Sequence, residues 1–151
     1  MSLLTEEHRR WIGREDPPVS VEVSRRDIIK YATATEQLQQ KYLRGDEAPP
    51  MFIFNLFGTL QSPSELRDDG LAPGRREGPA LPLKRVMAGG TELILRRPIR
   101  PGDRLTATSR VTDLYEKIGS QGPLIFTIRS MRVVDANGEL VLEEIQTAIA
   151  R

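Results

Sequence analysis

One histidine, His8, serves the whole 151-residue chain, and cysteine is absent. A Ser-His-Asp triad, a His-carboxylate dyad or a His-rich metal site would all have to use that one side chain. It lies among Glu6, Glu7, Arg9 and Arg10, the setting of an ordinary helix-surface imidazole. Carboxylates offer a second route to acid-base chemistry. Glu36, Asp46 or Glu47, ahead of an apolar stretch, could each act as a lone general base, although acid before a helix equally complements its dipole. Asp27, Glu143 and Glu144 are scattered. Gly89-Gly90 interrupts a strand-like run, where missing side chains imply a bulge or the close approach of another backbone or a ligand. The pair lacks the spacing and the following helix of a phosphate loop. Arg96, Arg97 and Arg100 could attract an anionic group. No metal and no cofactor is expected from this inventory.

Composition narrows the partners. Lys and Arg number 22 against 21 Asp and Glu, a formal charge of +1, so no overall field draws the chain to nucleic acid or an anionic membrane. The longest apolar stretch, Met51 to Leu60, is shorter than the roughly 18 residues a membrane-spanning helix needs. The N-terminus mixes acid and base with no apolar core segment, unlike a secretory signal. Absence of cysteine fits a reducing compartment, and the expected location is the cytoplasm.

These candidate groups must be held by elements that the hydrophobic pattern outlines. Thr5 can cap a short helix to Ile12 that puts Leu4, His8 and Trp11 on one face. Val19, Val21 and Val23 alternate with polar residues as in a strand. Ser24-Arg25-Arg26-Asp27 reads as a capping box that opens a helix through Ile28, Ile29, Tyr31 and Ala32. After a polar connection and Pro49-Pro50, the stretch Met51 to Leu60 is apolar on every side and carries three of the four Phe, as in a helix buried all round. Phe54 and Phe57, three residues apart, should anchor the core on one face of it. Ser62 to Pro82 is a long loop, and loops of that length in compact domains are usually functional or mobile. Four strands should follow, from Lys84 to Arg97, Arg104 to Lys117, Leu124 to Val134 and Glu139 to Ala150. Short links and Asn137-Gly138 make them antiparallel neighbours. One domain over residues 1–151 results, of class α+β: a curved antiparallel sheet wrapped around a central helix, the architecture of a hotdog fold.

The segments WIGRE (residues 11–15), VSVEVSRRDIIKYATAT (19–35), APPMFIFNLFG (48–58), the run from Leu81 to Val134 and GELVLEEIQTAIAR (138–151) resemble the N-terminal domain of MaoC-like dehydratases. RRPIRPGDRL and EKIGSQGPLIF are the most specific parts. The resemblance implies a hotdog hydratase or dehydratase of 2-enoyl and 3-hydroxyacyl thioesters of coenzyme A or acyl carrier protein. The catalytic signature of that family is an Asp, then Asn-Pro, then a His five residues after the Asp. Here the comparable region is Ala34-Thr35-Glu36-Gln37-Leu38-Gln39-Gln40, without either residue, so no catalytic residue is carried over. The resemblance further implies a non-catalytic subunit, ending near where a fused protein would begin a second hotdog. A separate MaoC-like catalytic chain would supply the Asp and His, giving a hetero-oligomer, or a homodimer when this chain is alone. The isolated chain is expected to be inactive. Phe54, Phe57, Gly89 and Gly90 are the candidate substrate contacts, and the loop from Ser62 to Gly78, with its Gly, Pro and charge content, is expected to be mobile or to border the acyl entrance. A hotdog thioesterase using Glu36, Asp46 or Glu47, and an acyl-coenzyme A binder without catalysis, are the alternatives.

Overall fold

The computed structural model describes residues 2–58, 61–68, 70 and 78–151. Helix α1 (Glu6–Arg9) starts at Thr5, whose hydroxyl accepts from the His8 backbone N–H while His8 Nδ1 accepts from Thr5 N–H at 3.0 Å. Strand β1 (Val19–Glu22) alternates as its valines require. Helix α2 (Arg25–Ala34) is capped by Ser24, whose Oγ accepts from Asp27 N–H at 3.1 Å, and buries Ile28 and Ala32. The polar connection contains one further turn of helix, α3 (Gln40–Leu43).

Helix α2 stops by a Schellman motif. Gln37 N–H donates to Ala32 O at 2.9 Å and Glu36 N–H to Thr33 O at 3.2 Å, satisfying two terminal carbonyls. The motif needs a left-handed residue, and Glu36 supplies it with φ of 53°. A side chain with a Cβ is disfavoured there. Glu36→Gly should therefore stabilise the fold by about 1 kcal/mol, read as a higher midpoint in urea unfolding; a lower midpoint would contradict the motif.

The long apolar stretch forms a 3-10 turn, Pro50–Phe52, running into α4 (Ile53–Leu56). Phe52 and Ile53 are buried, but Met51 is 43% and Phe54 61% exposed, while Phe57 is half-buried against the core. The expectation of a helix buried all round is thus corrected, and Phe54 is not a core anchor. So short a helix presents one face to the sheet, and among the described residues nothing covers Phe54 on the other. Residues 59 and 60 lie outside the described residues, as do 69 and 71–77. The expectation that the loop from Ser62 to Gly78 is mobile or borders an acyl entrance falls largely on them.

Four long strands follow: β2 (Val86–Leu95), β3 (Arg104–Gly119), β4 (Gly122–Val134) and β5 (Leu140–Ala150). All pair antiparallel in the order β1-β3-β4-β5-β2, giving a five-stranded hotdog sheet over which α2 and α4 pack. Arg97 locks two of its connections. Its guanidinium donates to Asp103 at 2.8 Å and to Asp135 at 3.3 Å. Burial pushes Asp135 up, but backbone N–H groups of Asn137 and Glu139, with Arg97, outweigh it and hold the carboxyl below its ordinary value. Among the described residues no helix is long and apolar enough to cross a membrane.

Candidate functional site

The register of β4 and β5 decides which side chains face the helices. Ile125, Thr127, Arg129, Met131 and Val133 lie opposite Ala150, Ala148, Gln146, Glu144 and Leu142. Leu142, Met131 and Val133 belong to the main core with Ile28, Phe52 and Ile53. Ile125 and Ala150 belong to a second cluster with Leu4 and Leu114. Between the two clusters runs a polar band. Within it Arg129 pairs with Asp16, their side chains only 13% and 17% exposed, and Gln146 Nε2 donates to Glu144 Oε1 at 2.9 Å. Glu144 itself is 3% exposed. A charge taken out of water must be paired or hydrogen-bonded, and both partners here are engaged. The band can present polar groups beneath the helices, but it is not arranged as a nucleophile with its base.

This band was missed in the sequence, although a signal existed. Thr127 and Arg129 are in phase with Ile125, Met131 and Val133, and Glu144 and Gln146 with Leu142 and Ala150. Polar residues at inward positions of strands that are otherwise apolar on that face mark buried polar chemistry.

The expected candidates separate. Asp46 is held by Arg25 at 2.7 Å and Arg44 at 3.2 Å, and the Arg25 hydrogen bond foremost holds its carboxyl below the ordinary value, which weakens it as a base. Glu47 pairs with Lys41 at 2.8 Å; that hydrogen bond raises the Lys41 ammonium above its usual range. Glu36 is exposed at the end of α2. None of the three carboxylates is placed as a desolvated general base. His8 is engaged at both ring nitrogens. Since Nδ1 accepts from Thr5 N–H, Nε2 carries the proton, which it donates to Ala80 O at 3.2 Å.

Gly89-Gly90 is a bulge in the β2-β5 ladder, with Gly90 at φ of +156°. A Cβ on Gly89 would meet Thr147 Cγ2 at 2.8 Å and Ile149 Cγ1 at 2.9 Å. The close approach is thus made by side chains of β5. Strand β2 is also an outer strand of the sheet, with Val86, Met87 and Leu95 exposed along it.

Residues 10–144 match the model of the FAS1-like, dehydratase domain region. A UPF0336 protein of Streptomyces griseus subsp. griseus is 31% identical over 153 residues, covering 93% of this chain and 93% of that protein. A chain of the C-terminally truncated HadBC (3R-hydroxyacyl-ACP dehydratase) complex from Mycobacterium tuberculosis has the same fold. Its TM-score is 0.68 at 16% identity, over 93% of this chain and 97% of that one. A MaoC-like dehydratase from Phytophthora capsici gives a TM-score of 0.69 at 17% identity, over 95% of this chain and 50% of that one.

Proposed function

The chain belongs to the FAS1-like dehydratase-region family, and from that membership we propose that it is the non-catalytic subunit of a heteromeric enoyl-CoA hydratase, or 3-hydroxyacyl-thioester dehydratase. In this reading it completes a double hotdog in the cytoplasm and shapes the acyl pocket, while a MaoC-like partner contributes the Asp and His. The observation that carries it is the segment from Ala34 to Gln40. Where the family pattern would place its acid-base pair, this chain has an exposed Glu36 just beyond the end of α2 and continues through uncharged residues. The ion pairs on Asp46 and Glu47 speak against a thioesterase base.

Surface apolarity supports an assembly. Leu38 is 88%, Phe54 61% and Met51 43% exposed, and Met51 and Phe54 share a face by their spacing. Uncovered apolar surface of this kind marks an interaction site, and a ten-residue outer strand can accept another strand. The solved complex whose fold it shares is itself named as HadBC, a dehydratase complex. Phe54 and Phe57 would then contact the acyl chain near the junction of the subunits. Phe54→Asp tests this. Thermal stability of the lone chain should stay near wild type, because the ring is largely in water already, whereas co-elution with the catalytic partner on size exclusion should be lost. Unimpaired assembly and turnover by Phe54→Asp would remove the residue from the interface and pocket.

A further inference from the structure

At the end of the sheet where β2 begins and β5 finishes there is a cleft of about 770 Å³, lined in part by Lys84, Arg85, Met87, Leu124, Ile149 and Arg151. That volume is within the range of small-molecule sites. Ala150 is buried in the core cluster with Ile125, so alternation along β5 turns Ile149 and Arg151 to the opposite, convex face. The cleft therefore lies away from the helices and from the face that carries Met51 and Phe54, while Met87 in its lining belongs to the outer strand β2.

Two cations meet there. Arg85 N–H donates to Arg151 O at 3.1 Å and Arg151 N–H to Arg85 O at 2.8 Å. Reciprocal bonds define directly opposed residues of an antiparallel pair, whose side chains emerge on one face a few ångströms apart. Like charges so placed repel. Lys84 adds a third positive charge, its Nζ donating to Leu81 O at 3.1 Å. Among the described residues no acidic side chain lines the cleft. Among the described residues neither guanidinium forms an ion pair with an Asp or Glu side chain. By contrast, Arg25, Arg44, Arg97, Arg104 and Arg129 each have one. The cationic rim adjoins an apolar wall of Met87, Leu124 and Ile149, Met87 being 39% exposed.

We propose that this convex-face cleft binds a small amphiphilic anion, its phosphate or carboxylate head held between Arg85 and Arg151 and its apolar body laid on Met87, Leu124 and Ile149. Guanidinium matches both heads through paired charge-assisted hydrogen bonds, and a bound anion removes the repulsion between the opposed cations. The proposal does not depend on the hydratase reading.

The test titrates the full chain with octyl phosphate, octanoate, octanol and inorganic phosphate, following backbone amide shifts of Gly119, Gly122 and Ile149. One or both amphiphilic anions should saturate these shifts, with octanol and inorganic phosphate weaker by about tenfold or more. A stronger response to octyl phosphate assigns an organic phosphate, and a stronger response to octanoate a fatty acid. Arg85→Gln with Arg151→Gln should weaken the better anion by about tenfold or more. Without ligand, Arg85→Gln should melt at or above the wild-type temperature because a repulsion is relieved. Absence of saturable shifts at these amides, equal binding of octanol, equal affinity of the double variant, or a lowered melting temperature for Arg85→Gln would each overturn the proposal.

Discussion

Purified alone, the chain should leave a 2-enoyl-coenzyme A series unhydrated. Addition of water at C3 needs a base to activate the water and an acid to return a proton, and such transfer typically contributes about 100- to 10,000-fold. Among the described residues no carboxylate and no imidazole is poised for it. Asp46 and Glu47 are bound in ion pairs, and His8 would have to break both its bond from Thr5 and its bond to Ala80 before it could move a proton. The lone chain, a MaoC-like partner carrying the Asp and His, and their mixture should be compared. The mixture should turn over well above either component, and His8→Ala in this chain should leave that rate nearly unchanged. Robust hydration by the lone chain, abolished in His8→Ala, would sink the subunit reading and make His8 catalytic.

Asp16→Ala should be strongly destabilising. Asp16 sits beside β3, where its N–H donates to Ser109 O at 2.8 Å, and its carboxylate pairs with Arg129 inside the sheet. Removing one partner of a largely buried pair leaves the other charge in a poorly solvating site, at a cost of about 3 kcal/mol or more. For a chain of this size that lowers the melting temperature by roughly 6–12 °C. Arg129→Met in the Asp16→Ala background should recover part of the loss, because no charge is then stranded. Asp46→Ala provides the contrast. Its pair with Arg25 is about half exposed on both sides, so the unfolding transition should scarcely move. A small effect of Asp16→Ala in urea unfolding would show that water reaches Arg129.

The strands were legible because their signals are local. Alternation and the Asn137-Gly138 turn place β3, β4 and β5 close to their observed ends, and the break at Gly89-Gly90 is a bulge, as missing side chains imply. Thr5 and Ser24 cap as their types suggest. What escaped depends on tertiary context. An apolar run reads the same whether its outer face meets the same chain or another, so the exposure of Phe54 could not be seen in Met51 to Leu60. Arg129 and Glu144 resemble solvent-facing strand residues until the register shows that they point inward. The Arg97 bridge is likewise invisible, since its two carboxylates lie 6 and 38 residues away in sequence.

The bulge at Gly89-Gly90 also bears on solubility. A straight outer strand with Val86, Met87, Leu93, Ile94 and Leu95 on it would be a template onto which identical chains could stack without limit. One extra residue bends the strand and shifts its side-chain phase partway along, so a straight neighbour aligned with one half is out of step with the other. Open-ended growth into fibrils is thereby discouraged, while a single companion whose own edge carries a matching bend can still be received.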